Sequence, residues 1–132
     1  MFTHTTKIRV RYSETDQMKY VYYGVYAKYL EVGRVELLRS IGTSYKQIEE
    51  LGFGLPVVNL KIKYIKPAFY DDLLTIETTI KKNNNIKLIF KYKIYNEQDV
   101  LLNTAETTLV FVNLDTRKVC SPPNSIIDKL QK

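Results

Sequence analysis

From Thr5 to Tyr12 apolar and charged positions alternate, with Ile8, Val10 and Tyr12 against Lys7, Arg9 and Arg11. That period of two predicts a half-buried strand. A polar turn follows, Ser13-Glu14-Thr15-Asp16, made of residues whose side chains favour turns and helix starts. The period then changes. From about Tyr22 to Ser40 the apolar residues Tyr22, Val25, Tyr26, Tyr29, Leu30, Val32, Val35, Leu37 and Leu38 spread over more than one helical face. Such a spread predicts a long enclosed helix, with Asp16 held just ahead of its N-terminus. Gly24 and Gly33 lie inside it, each costing about 1 kcal/mol relative to Ala, and predict the close passage of other backbone. Gly42 suits the left-handed stop of the last turn. Ser44-x-x-Gln47 has capping-box spacing and opens a short helix that ends at Leu51-Gly52.

Alternation resumes at Leu55. Val58, Leu60, Ile62 and Tyr64 oppose Asn59, Lys61 and Lys63 as far as Lys66, and Pro67 stops the strand because proline cannot donate to a ladder. Tyr70-Asp71-Asp72 turns the chain into a strand through Leu74, Ile76, Thr78 and Ile80. Asn83-Asn84-Asn85 reverses it into one through Ile86, Leu88, Phe90, Tyr92 and Ile94. Asn96-Glu97-Gln98-Asp99 is the next turn, Val100 to Asn113 the longest strand, and Asn113-Leu114-Asp115 turns the chain back. Ser121-Pro122-Pro123 introduces a short helix from Asn124 to Leu130. Short connections imply antiparallel neighbours. The pattern predicts one α+β domain over 1–132, with the long helix sheltered by a five-stranded antiparallel sheet. Pairing a free sheet edge with a second copy would make a homo-oligomer.

Composition narrows the classes only slightly. At 132 residues, 45% hydrophobic and 26% charged, the chain is an ordinary globular length and mixture. No apolar run approaches the roughly 18 residues of a membrane span, and the N-terminus does not read as a secretory signal. A lone cysteine, Cys120, fits a reducing cytoplasm, and His4 with Cys120 is too small a set of soft ligands for zinc. A net charge of +6 implies anionic partners without naming one. Nucleic acid is among the possibilities, yet no recognition motif accompanies the charge.

Asp16 is the candidate that chemistry singles out. A helix N-terminus carries roughly half a positive charge and unpaired N–H groups, which can hold an oxyanion. A carboxylate as base or nucleophile together with such a site suffices for a thioester. A thiol with a pKa near 8.5 leaves as thiolate without a proton donor. The plain alternative is that Asp16 or Thr15 only caps a local turn. Tyr23, seven residues on, can offer its hydroxyl to an acyl group and its N–H to the carbonyl, or be a tyrosine with a buried ring and a wet hydroxyl. Lys61, Lys63 and Lys66 can receive phosphates or form a solvated strand face. Glu31 and Glu36 are expected to pair with Arg34 or Arg39 along the helix. His4, near the terminus, and Cys120, without a partner base, are given no role.

The string Tyr12-x-x-Thr15-Asp16-Gln17-Met18-x-x-Val21-Tyr22-x-Gly24-x-Tyr26 is followed by Glu31-x-x-Arg34-x-Glu36-Leu37-Leu38. Gly54-Leu55-Pro56-Val57-Val58, Tyr64-x-x-Pro67-Ala68-x-Tyr70-Asp71-Asp72 and Thr107-Thr108-Leu109-Val110-Phe111-Val112 come later. As a set these motifs resemble the 4-hydroxybenzoyl-CoA thioesterase family of hot-dog-fold proteins, particularly the bacterial acyl-CoA thioesterases associated with the Tol-Pal system. The resemblance implies a hot-dog fold and hydrolysis of an acyl-CoA without a cofactor. It puts the catalytic Asp at Asp16 and the N–H facing the thioester carbonyl at Tyr23, with Tyr22, Gly24 and Tyr26 along the substrate. It also implies a homodimer or a tetramer of dimers. Two positions depart from it: Lys19 stands where a glycine is usual and Val25 where an asparagine is usual. A glycine at the first can serve a turn with positive φ, so Lys19 is expected to strain that loop by about 1 kcal/mol. The readings to be separated are an acyl-CoA thioesterase and, as the alternative, a non-catalytic acyl-thioester binder or acyl-carrier-protein docking module. A dehydratase wants a histidine paired with an acid, and the single His4 lies outside the helix region.

Overall fold

The structure, a computed structural model, describes residues 2–81 and 87–130. β1 (Phe2–Arg9) leads through a 3-10 turn at Tyr12–Glu14 and a second at Tyr23–Val25 into α1 (Tyr26–Ser40) and α2 (Tyr45–Glu50). Then come β2 (Phe53–Gly54), β3 (Val57–Tyr64), β4 (Leu73–Lys81), β5 (Lys87–Tyr95), β6 (Leu101–Val110), β7 (Val112–Asn113) and α3 (Asn124–Leu130). The main sheet has five antiparallel strands in the order β1-β4-β5-β6-β3, and one long helix lies against it, as the α+β hot-dog expectation requires. The expected Asn83–Asn85 turn and Ile86 lie outside the described residues. Among those described, no helix is long and apolar enough to cross a membrane.

Several local signals translate directly. Ser44 Oγ accepts the Gln47 N–H at 3.1 Å and caps α2, and Gly52 ends it at φ 93°. Asn96 Oδ1 accepts from Gln98 and Val100, and Asn113 Oδ1 from Asp115 and Thr116, so each turn is held by its own asparagine.

Other expectations are corrected. β3 and β4 follow one another in the chain but are not neighbours: β3 pairs with β6 and β4 with β1. The connection Ile65–Asp72 carries the chain across, which Pro67 permits by ending the ladder. β1 begins at Phe2 rather than Thr5, so His4 is paired with Thr78 inside the sheet instead of fraying. The chain leaves β1 at Val10, and Tyr12 swings out to 78% exposure in its 3-10 turn. The long last strand breaks at Phe111, and its end, β7, pairs with the short β2.

α1 is not enclosed within the chain. Its buried residues Tyr26, Tyr29, Leu30, Gly33, Arg34, Leu37 and Leu38 form a single stripe at helical spacing, while Val32 and Val35 are only half-buried. The helix also starts later than the apolar pattern, because Tyr23–Val25 adopt the tighter 3-10 form. Gly33 does meet a close neighbour, but it is side chain rather than backbone. A Cβ there would come within 2.5 Å of Thr78 Oγ1, so the glycine lets α1 settle onto β4. Gly24 has only the Tyr22 ring nearby. Arg34 makes no ion pair with Glu31. It is buried and gives its Nε–H to the Tyr45 hydroxyl at 2.9 Å, whereas Arg39 pairs with Glu36 as expected.

α1 covers β1 and β4 and barely reaches β5, so the far side of the sheet is left open. β3 was expected to be half-buried, yet the apolar residues of its helix-side row also meet solvent, Leu60 and Tyr64 among them, as does Val58 at the bulge. The alternation in its sequence is real, but no layer within the chain lies over it.

Candidate active site

The loop between β1 and α1 folds back on itself. The Tyr22 N–H bonds the Glu14 carbonyl at 2.9 Å, Thr15 and Val21 form a bridge, and the Asp16 N–H bonds the Tyr20 carbonyl at 3.0 Å. At the tip, the Lys19 N–H bonds the Asp16 carbonyl at 2.9 Å, closing a four-residue turn with Lys19 at φ 70°. The strain expected from Lys19 is therefore present: the position needs the left-handed region, and a lysine occupies it. The β3–β4 connection supports the loop from below, where the Val21 N–H bonds the Ala68 carbonyl at 2.8 Å and Tyr20 bridges Phe69.

Glu14 is what fastens this loop to the helix, and sequence reasoning passed over it. It is 5% exposed. Its Oε1 accepts the Arg11 N–H and the Tyr29 hydroxyl, both at 2.8 Å, and its Oε2 accepts from the Arg11 guanidinium. Burial alone would raise its carboxyl, but the Arg11 N–H, the Tyr29 hydroxyl and the Arg11 side chain outweigh that and hold it below its ordinary value. Burial and the adjacent carboxylate push the Tyr29 phenol up, so it remains the donor. The only signal in the sequence was a carboxylate in a turn fifteen residues before a tyrosine on the helix stripe, a separation no local pattern encodes.

Asp16 is engaged far less. Its Oδ1 accepts the Met18 N–H at 2.8 Å, so the turn-capping alternative is part of the answer. Among the described residues its second oxygen has no hydrogen-bond partner. Asp16 lies on the wall of a cavity of about 440 Å³ with Met18, Tyr20, Val21, Tyr23, Tyr26, Tyr64, Ile65, Lys66 and Pro67. Asp16 is the one carboxylate and Lys66 the one amine among these side chains, and burial pushes the phenols of Tyr26 and Tyr64 up. Tyr23 and Gly24 open the 3-10 turn that feeds α1, so their N–H groups have no acceptor within the turn. The Tyr64 hydroxyl donates to the Tyr23 carbonyl at 3.1 Å, and its ring packs edge-on against Tyr26 with centroids 5.6 Å apart.

The predicted residues thus divide. Asp16, Tyr23, Tyr26 and Lys66 meet at one cavity. Tyr22 stacks on Tyr23 with centroids 4.7 Å apart, and its phenol is raised chiefly by the Tyr23 hydroxyl, with the Asp16 carboxylate adding to the effect. Gly24 follows in the same turn. Lys61 and Lys63 lie elsewhere. They line a separate groove of about 400 Å³ on the face of the sheet away from α1, with Lys91, Lys93, Glu77 and Glu106. Val25, the other departure, is buried in the core.

A five-stranded antiparallel sheet wrapped on one long helix is the hot-dog fold. The family model for the thioesterase-like superfamily matches residues 10–130, and the chain belongs to that superfamily. YneP of Bacillus subtilis (strain 168) is 36% identical over 118 residues, covering 89% of this chain and 86% of that protein. The acyl-CoA thioester hydrolase YbgC of Escherichia coli O6:H1 is 31% identical over 125 residues, 95% of this chain and 93% of that one. Among solved structures, the DHNA-CoA thioesterase from Staphylococcus aureus superposes with a TM-score of 0.89 at 35% identity, covering 92% of this chain and 81% of that chain.

Proposed function

We propose that this chain hydrolyses acyl-CoA thioesters, with Asp16 as nucleophile or as base for a water and the N–H groups of Tyr23 and Gly24 as the oxyanion site. One observation carries the reading: the half-free Asp16 carboxylate and the start of the helix share one cavity whose remaining walls, Lys66 apart, are tyrosine and apolar side chains. An acyl carbonyl seated there has an attacking oxygen on one side and N–H donors on the other. The departing CoA thiolate needs no proton donor, which suits a site without a general acid. Four tyrosines on the walls favour a flat acyl group, in keeping with the relative named for DHNA-CoA. Lys66 is the cation placed to meet the CoA phosphates, while Lys61 and Lys63 would act on the outer face, toward a CoA nucleotide or an acidic carrier protein. The cytoplasm, the narrower 4-hydroxybenzoyl-CoA and Tol-Pal kinships, and activity as a homodimer or tetramer of dimers belong to the same reading. The exposed apolar edge at β3 supports the oligomer, because a second copy would bury Val58 and Leu60 and complete the sheet. Sedimentation should give at least a dimer, and Leu60→Lys should shift it toward monomer.

The test of the chemistry is thiol release from a panel of acyl-CoAs. Asp16→Asn should lower kcat/KM by about 10²- to 10⁴-fold. Equal rates for the two proteins would remove the assignment. The second reading, an acyl-thioester binder without turnover, draws on the Met18 N–H that already occupies one Asp16 oxygen. Tight binding of acyl-CoA with no thiol released would establish it.

A further inference from the structure

Asn103 lies in β6 on the face of the sheet that α1 occupies. Register places it in the row Thr6–Ile76–Ile94–Asn103–Tyr64, and paired residues in such a row point to the same side. Tyr64 is on the helix side, since its ring packs on Tyr26, and it forms a wall of the cavity that holds Asp16. The next pieces of that wall, Ile65 and Lys66, both donate their N–H groups to the carbonyl of Leu102, the residue before Asn103. Asn103 is therefore one strand spacing, about 4.8 Å, to the side of Tyr64, next to the wall of the proposed acyl site.

The side chain is 1% exposed, and neither its Nδ2 nor its Oδ1 has a hydrogen-bond partner among the described residues. A buried carboxamide with both ends idle is destabilising, and a leucine of similar size would fit among Ile94, Leu102 and Tyr64 without that penalty. Of the other buried polar side chains on this side of the sheet, the Tyr92 hydroxyl is bonded to Thr107 Oγ1 at 2.6 Å and Arg34 to Tyr45, while the single hydroxyl of Thr78 also lacks a partner among the described residues. We infer that Asn103 is a specificity-determining residue, whose carboxamide hydrogen-bonds a hydroxyl carried at the inner end of the acyl group. This rests on the thioesterase reading and deepens it. A carboxamide offers one acceptor and one donor side by side. A hydroxyl, itself both donor and acceptor, satisfies either end, whereas a carboxylate only accepts, so it could pair with Nδ2 but not with the amide oxygen. A site whose buried polar group is completed by the substrate rejects the analogue lacking that group.

The experiment compares benzoyl-CoA with its three isomeric monohydroxybenzoyl-CoAs, using wild type, Asn103→Leu and Asn103→Ala. The quantity read is the ratio of kcat/KM for each hydroxylated ester to that for benzoyl-CoA. For one isomer the wild-type ratio should exceed about 10, and it should fall toward unity in both variants. The unfolding midpoint of Asn103→Leu should rise by about 4 °C, because the substitution removes an unsatisfied amide. A structural asparagine, bonded to a partner copy or to buried water, would lower that midpoint and overturn the inference. So would a ratio that is the same in wild type and both variants. If wild type hydrolyses only other acyl-CoAs, the thioesterase reading stands and the Asn103 inference is overturned. If it hydrolyses neither these esters nor any of the wider acyl-CoA panel, the thioesterase reading fails. Calorimetric binding of the same four esters then reads Asn103 separately, with equal affinities in wild type and Asn103→Leu overturning it.

Discussion

Glu14 and Asp16 stand two residues apart on one loop, and the structure treats them oppositely. Glu14 is buried, with both oxygens engaged by Arg11 and Tyr29, and ties the loop to α1. Asp16 is half-buried, has one oxygen on the Met18 N–H and no partner for the other among the described residues, and lies on the wall of a cavity. The first carboxylate has its bonding capacity used up by the fold, and the second keeps some in reserve. Chemistry needs the reserve, and positioning needs the saturation. The contrast is what the proposed division of roles would require, with Asp16 for reaction and Glu14 for holding the loop in place.

The largest test of that division is Asp16→Asn, expected to remove the activity by the factor given above while leaving the urea midpoint within error of wild type. A midpoint that collapses with the activity would make Asp16 a second Glu14. Glu14→Ala should behave in the reverse manner. It strands the Tyr29 hydroxyl and the Arg11 N–H, so the expected cost is about 2–3 kcal/mol of folding stability in urea. Activity per folded molecule should fall less than in Asp16→Asn.

pH sharpens the same comparison. Because the Glu14 carboxyl is held below its ordinary value of 4.5 when folded, its contribution is complete above that value. It is lost as pH falls further, through the folded value. The stability gap between wild type and Glu14→Ala should therefore be constant near neutrality and close in acid. A gap independent of pH would place the Glu14 effect in packing rather than charge. The smallest effect is at the turn tip. Lys19→Gly relieves the left-handed strain at φ 70° but adds freedom to the unfolded chain, so a gain of no more than about 1 kcal/mol is expected. A loss would show that the lysine side chain contributes contacts that exceed the strain.

Much of this was legible one residue at a time. The cap at Ser44, the stop at Gly42 and the α3 bounds Asn124–Leu130 follow from local stereochemistry, which operates within three or four positions, while the strain at Lys19 was expected from the glycine usual there in the family it resembles. The place of Asp16 in a turn ahead of the helix was legible too, through the turn residues around it and the helix beyond. Glu14 and Asn103 were not. The importance of each depends on what lies across a gap in space: Tyr29 fifteen residues away for one, and the absence of any described partner for the other. Lys61 and Lys63 were read with Lys66 as a single row, yet the end of the ladder at Pro67 sends Lys66 to the cavity and leaves the other two outside.

Alternation and periodicity alone determined which stretches are strands and helices, and that one helix must serve a sheet. They could not say which face of α1 is covered, that β3 passes over β4 to pair with β6, or that β3 is left bare. Those are matters of which surfaces meet. A hydrophobic pattern records that a side chain is better out of water, and only the packed chain, or a second copy of it, decides what takes the water's place.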